Sequence, residues 1–278
     1  MALGSPTLVL DAAERSRRPV LTALADIRRG LSHAELWSTM GWFDIRQRYS
    51  RSVLGPFWVT LSLGVFVVGI GLVYGSLFRQ PLETYLPFLT LGIVVWTFIS
   101  ALLMEGCTTF TAAEAAIKQM PAPLSIHAFR LVWRSLILLA HNAVVVVLVL
   151  AFYRVNPGLN GLAALPGFAL ITLNGFAFVL TLGTLSARFR DIPPLIANLV
   201  QILFLLTPLF WHPELLGERV AFATYNPFYQ LIELVRAPLL GGLPSREVVT
   251  LSLIFTAINL VVALLLYARF RWRVPYWL

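Results

Sequence analysis

The sequence predicts an all-α integral membrane protein with six transmembrane helices, and three observations carry that prediction. The 278 residues are 58% hydrophobic and only 12% charged, with a mean hydropathy of +0.80, far from the balance of a soluble domain. The charges leave long uncharged windows at 52–78, 84–104, 135–153, 155–187, 192–213 and 248–268. Each window can hold the helix of about 20 residues that a hydrocarbon core of roughly 30 Å requires. Alternating polar and apolar strands of a barrel do not appear, and in lipid a helix satisfies its own backbone groups.

The elements follow in order along the chain. Residues 1–31 carry Pro6, Pro19, Asp11, Glu14 and the Arg15, Arg17, Arg18 cluster, and read as a mobile tail preceding an integral domain of residues 32–278. From Ser32 the spacing becomes helical, with Trp42, Ile45, Tyr49 and Val53 on one face and Asp44, Arg48 and Arg51 on another. Such an amphipathic helix belongs in the membrane interface, and Gly55-Pro56 turns the chain into the first span. Spans are expected near 57–78, 86–107, 132–153, 162–185, 194–212 and 248–268. Between the second and third, "TTFTAAEAAIKQMPAPLSIHAFR" starts with helix formers and is stopped by Pro121 and Pro123, giving either a docking helix or a plain connection. After the fifth, Asn226-Pro227 forms an N-cap and first turn. Phe228, Leu231, Ile232, Val235 and Leu239 then follow at helical spacing up to Gly241-Gly242. That helix is too short to span and is expected at the outer interface.

Basic residues set the orientation. With the N-terminus inside, sixteen of the 21 Lys and Arg residues are cytoplasmic and five external, so both termini are expected in the cytoplasm. The net charge of +8 then reflects topology and anionic lipid, not nucleic acid. No signal peptide is read in the first thirty residues. Cys107 is the only cysteine, which excludes an intrachain disulfide and cysteine-rich metal sites.

Enzyme signatures are missing from the sequence. There is no phosphate loop, since Lys118, the only lysine, lacks the preceding glycines. His33, His127, His141 and His212 do not pair at metal-binding spacing, and no Gly-x-Ser-x-Gly elbow occurs. Glu105 reads as a solvated or Arg-paired group near the cytoplasmic interface or as a relay group, and His141 and Asn142 as helix–helix hydrogen-bonding residues or a transport element. Arg46, Arg48 and Arg51 suit lipid headgroups, with Asp44 and Arg48 paired at i, i+4, or a phosphorylated lipid-linked substrate. Trp58, Tyr74, Trp96, Phe98 and Trp211 fit an interfacial belt or a stacking surface for sugar rings.

Four stretches in order, "RYSRSVLGPFW", "RFRDIPPLIANLVQILFLLTPLFWHPELL", "YNPFYQLIELVRAPLLGG" and "FRWRVPYWL", resemble the membrane subunit of ABC-2 type polysaccharide exporters across about residues 34–278. The basic-Phe-Pro-Arg element frequent in that family is replaced here by "IKQMPAPLSIHAFRLVWR". The resemblance implies an ABC-2 permease of six spans, with an N-terminal interfacial helix and short external gate helices at 213–240. It implies a bacterial inner-membrane homodimer joined by two copies of a separate ATPase that binds ATP and Mg, with no cofactor in this chain. It also implies export of a lipid-linked glycan such as O-antigen, capsule or teichoic acid. On that resemblance Arg46, Arg48 and Arg51 would meet the carrier diphosphate. Trp58, Trp96, Phe98, Trp211, Tyr225 and Phe228 would line the glycan channel or gate. Glu114, Lys118, Gln119 and Met120, within a coupling segment 112–125, would meet the ATPase. A permease for a small hydrophobic drug or lipid shares the fold, and a non-transporting membrane scaffold is the reading from a different class.

Overall fold

The computed structural model describes residues 19–50, 55, 57–120 and 122–278, and among them there is no strand. Arg51, Val53, Pro56 and Pro121, with the Arg15, Arg17, Arg18 cluster, lie outside the described residues. Twelve α-helices are numbered here in chain order. Helices α1 (Pro19–Ser32) and α2 (Ala34–Arg48) precede the apolar body. The body comprises α3 (Phe57–Leu77), α4 (Leu82–Thr108), the short α5 (Glu114–Gln119), α6 (Ser125–Phe152), α7 (Ala164–Arg188) and α8 (Ile192–Leu206). Two short pieces, α9 (Val220–Thr224) and α10 (Pro227–Leu239), lead to α11 (Arg246–Phe270) and the terminal turn α12 (Val274–Trp277).

Among the described residues five helices, α3, α4, α6, α7 and α11, are long and apolar enough to cross a membrane. This is a multi-pass membrane protein. The helix α8 has 15 residues, about 22 Å at 1.5 Å per residue, and is shorter than a bilayer core. It continues into non-helical chain from Thr207 to Trp211.

At the centre stands α4, which packs against α3, α6, α7, α8 and α10. Its most apolar window is 83% buried, against 22% for α3 and 28% for α11. An apolar helix covered on all sides by protein is a core element, whereas α3 and α11 keep most of their surface for lipid or another protein. Close approaches at glycine build this core. A Cβ on Gly167 of α7 would lie 2.7 Å from the Leu234 carbonyl oxygen of α10, and one on Gly92 of α4 would lie 2.9 Å from the Leu209 oxygen. Backbones that near each other gain dispersion contacts that larger residues would prevent.

Hydrogen bonds show which segments share an end. At one end, here the arginine-rich end, Asp26 of α1 binds two other helices. Its carboxylate accepts from the backbone N–H groups of Leu124 (3.3 Å) and Ser125 (3.1 Å) at the start of α6. From α11 it takes the Tyr267 hydroxyl (2.6 Å), and from the turn just beyond α11 the Arg271 guanidinium (3.0 Å). Residues 19–31, expected in a tail, are therefore helical and tied to the body, because one carboxylate answers donors on three sides. At the opposite end the Tyr85 hydroxyl donates to the Phe210 carbonyl, and the Asn160 amide donates to that of Gly241.

Replacing Asp26 with alanine removes a charged acceptor from two backbone donors, a phenol and a guanidinium. We expect a loss of about 2–3 kcal/mol, the range for hydrogen bonds to a charged group. Ser125→Ala, which deletes the neutral bond from the Ser125 hydroxyl to the Asp26 carbonyl (2.9 Å) and leaves the Asp26 carboxylate in place, should cost about 1 kcal/mol. Thermal unfolding of the two purified variants side by side checks this order.

Candidate functional site

The arginine-rich end holds an ion-pair chain across three helices. Asp44 of α2 accepts from Arg130 through Nε (2.7 Å) and through a second guanidinium nitrogen, and from Arg134 Nη1 at 3.2 Å. Arg134 also pairs with Glu105 near the end of α4, and Glu105 meets Arg48 at 3.4 Å. The i, i+4 pair expected between Asp44 and Arg48 is thus replaced. A two-pronged guanidinium from α6 outcompetes an exposed intrahelical pair worth about 0.3–0.5 kcal/mol. Glu105 is Arg-paired, one of its two sequence readings.

That chain also corrects the face assigned to α2. Ile45 and Gly41 are buried, Asp44 faces α6, and Trp42, expected beside Ile45, is half exposed. A Cβ on Gly41 would lie 3.1 Å from the Arg130 carbonyl oxygen, so α2 lies tightly across α6. Among the basic candidates, Arg46 is exposed with no ion pair among the described residues, and Arg48 is held by Glu105.

Between α4 and α6 the chain forms α5. Glu114 and Lys118 pair on its surface at 2.6 Å, and Gln119 and Met120 are also exposed. Ile117 turns inward against the core, and Met120 is extended (φ −118°, ψ 129°), which ends the helix one residue ahead of the prolines. The four residues expected to meet an ATPase thus form one exposed surface at this end.

The opposite end is organised by Arg236, one of the five basic residues expected on the external face. Its side chain is 1% exposed. The guanidinium donates to the Pro208 carbonyl (2.9 Å) and pairs with Glu233 (2.7 Å), and its carbon sits 3.9 Å from the centre of the Phe88 ring. His212 stacks on the same ring with centroids 4.1 Å apart. The signal was present: Arg236 follows Ile232 by four residues, on the apolar face of α10, with Glu233 three residues before it.

Half of the aromatic candidates prove to be core. Trp96, Phe98 and Phe228 are buried, and Trp96 packs against Phe204 and Phe228, joining α4, α8 and α10. Their rings are packed inside the chain and not on its surface. Trp58 and Tyr225 are exposed, and Trp211 is half buried with its indole N–H donating to the Leu205 carbonyl at 3.2 Å. Asn142 bridges helices, accepting from Thr60 at 3.5 Å, while His141 bonds its own helix at Ile137.

One further feature was not foreseen. On α8, an apolar helix, Asn198 and Gln201 are exposed one turn apart beside Leu199, Ile202 and Leu205, and neither side chain has a hydrogen-bond partner among the described residues.

A helical membrane body thus carries a charged knot at one end and, at the other, a buried arginine on the short helix α10. A match to the ABC-2 type transporter family spans residues 35–240, and the chain belongs to that family. Two proteins of Klebsiella pneumoniae, each called O-antigen export system permease protein RfbA, are similar to it. They are 22% and 24% identical over 232 and 233 residues, and each alignment covers 83% of this chain and 90% of the relative. The family expected from the four motifs is the family found.

Proposed function

We propose that this chain is the membrane subunit of an ATP-driven exporter of a lipid-linked polysaccharide, working as a homodimer with two copies of a separate ATPase in the bacterial inner membrane. The observation that carries the reading is the pair Asn198 and Gln201. An amide left without a partner in hydrocarbon costs about 1–3 kcal/mol on protein scales, so this face of α8 belongs against water or a second copy of the chain. A passage between two copies supplies both. The O-antigen export permeases similar to this chain support a glycan as cargo.

In this reading α8 and the extended residues 207–211 together make the sixth crossing, and both termini lie in the cytoplasm with the arginine-rich end. The exposed α5 surface of Glu114, Lys118, Gln119 and Met120 receives the ATPase. Its motion passes to α6 through the chain that joins them, and the Asp44–Arg134–Glu105 ion pairs spread it to α2 and α4. Arg46 and Arg48, continued in sequence by Arg51, face the carrier diphosphate, and exposed Trp58 and Tyr225, with half-buried Trp211, offer rings to sugar. The pieces 213–240, anchored by Arg236, form the external gate.

Cysteine at position 201, in a Cys107→Ser background, should cross-link two copies in native membranes. Asn198→Leu with Gln201→Leu should cut glycan export about tenfold, the equivalent of 1.4 kcal/mol, while leaving the dimer and its ATPase in place. Full export by the double leucine variant, or ATP hydrolysis by the purified chain alone, would overturn the reading.

A further inference from the structure

A cleft of about 250 Å³ opens at the arginine-rich end between the last turns of α7 and α11, lined by Leu185, Arg188, Phe189, Phe270, Arg273 and Trp277. Its walls are apolar and aromatic, yet two guanidinium groups stand beside it, and neither Arg188 nor Arg273 pairs with a carboxylate among the described residues. Both rest on aromatic faces instead: the Arg188 carbon lies 5.6 Å from the Trp277 ring and 5.9 Å from Phe189, and that of Arg273 lies 4.7 Å from Trp272. Stacking leaves the guanidinium edges, with their N–H donors, free for an oxyanion. Nearby Arg271 differs, being engaged by Asp26.

Depth in the membrane selects the occupant. Both helices run apolar up to this point; α7 then ends in Arg188, and α11 carries Arg269 in its last turn with Arg271 just beyond, with Phe189, Trp272 and Tyr276 exposed around them. Exposed aromatic and basic residues at the ends of apolar helices mark the headgroup level of a bilayer. We infer that the cleft is a binding site for an anionic phospholipid, whose phosphate lies between Arg188 and Arg273 and whose acyl chain runs along Phe189, Phe270 and Trp277. The volume is below the roughly 300–1,000 Å³ of a pocket that encloses a whole small molecule, and so suits a segment of one chain beneath a headgroup. The complementarity is specific: apolar walls reject a free hydrated anion, and two unpaired cations favour an acidic headgroup over a neutral one.

Occupancy would reach beyond the cleft. Trp277 is shared with a neighbouring cavity of about 350 Å³ whose lining includes Glu114 of α5, Arg190 and the C-terminal Leu278. A lipid that fixes Trp277 therefore also fixes one wall of the cavity beside α5. The site does not depend on the nature of the exported cargo.

The test uses the full-length chain, with its ATPase if the two purify together, in vesicles of phosphatidylcholine containing a small fraction of brominated phosphatidylglycerol. The fluorescence difference between wild type and Trp277→Phe isolates the Trp277 signal. Brominated phosphatidylglycerol should quench that signal with about thirtyfold preference over brominated phosphatidylcholine, as expected for two basic residues near a headgroup at about 1 kcal/mol each. Arg188→Gln with Arg273→Gln should bring the preference to about one, and Arg188→Lys with Arg273→Lys, which keeps the charge, should retain most of it. Equal quenching by the two lipids in wild type, or a preference unchanged in the glutamine variant, overturns the site. Loss of the preference on adding millimolar inorganic phosphate would assign the arginines to a free anion and overturn the lipid as occupant. Should the double glutamine variant fail to fold, Arg273→Gln alone must still lower the preference.

Discussion

Arg236→Ala is expected to lower the stability of the purified protein by about 3–5 kcal/mol, the range for removing one partner of a buried ion pair. The side chain serves three structures at once. It holds Glu233 on its own helix, the Pro208 carbonyl in the non-helical chain after α8, and the Phe88 ring on α4. Its removal strands a carboxylate and a carbonyl and leaves a void between the segments. Arg236→Lys should recover only part of the loss, because an ammonium on a flexible stem cannot present a planar fork to two acceptors and a flat face to a ring. Glu233→Gln should cost about 1 kcal/mol, since that carboxylate is partly exposed and an amide oxygen still accepts. Thermal unfolding in detergent reads all three. If Arg236→Met, which keeps bulk without charge, unfolds at the wild-type temperature, the side chain is only a filler.

The second large effect is expected where backbones meet. Gly167→Ala should destabilise by about 1–3 kcal/mol, as overpacking does in a tight core. The new methyl would lie 2.7 Å from the Leu234 carbonyl oxygen and 2.9 Å from its carbonyl carbon. Neither atom can turn aside, so α7 and α10 must separate. Gly175→Ala is the instructive comparison, because its methyl would run into Leu102 Cδ1 still more closely, but that atom ends a flexible side chain. We expect Gly175→Ala to be the milder change despite the nearer contact, by unfolding temperature and by recovery of protein from the membrane. The reverse order would mean that α10 is not held against α7 as described.

How much of this was legible depended on whether the cause was local. The five long spans follow from hydropathy alone, and α10 follows from its cap, because the Asn226 side chain accepts from the backbone N–H of Phe228 at 2.9 Å, as its position before Pro227 predicts. Helix α1 could not be read from its charges, since what holds it is a carboxylate serving Leu124, Ser125, Tyr267 and Arg271, distant in sequence. Asp44 illustrates the same limit. Spacing offers it Arg48, and only folding brings Arg130 and Arg134 closer in effect. The burial of Trp96 and Phe98 was not legible for another reason. A helix apolar on every side carries no periodicity to separate a face toward lipid from a face toward protein, so rings that looked available turned out to be interior.

The central position of α4 makes the chain asymmetric in what inheritance can rewrite. Along the exposed faces of α3 and α11 a drift of leucine to valine or phenylalanine changes mainly the shape offered to neighbours outside the chain, so lineages can retune their assembly there at little cost. Along α4 the same drift must be matched by compensating changes in five helices at once. A library of random apolar swaps should therefore yield functional survivors scattered through the periphery and a nearly empty stretch along the mast.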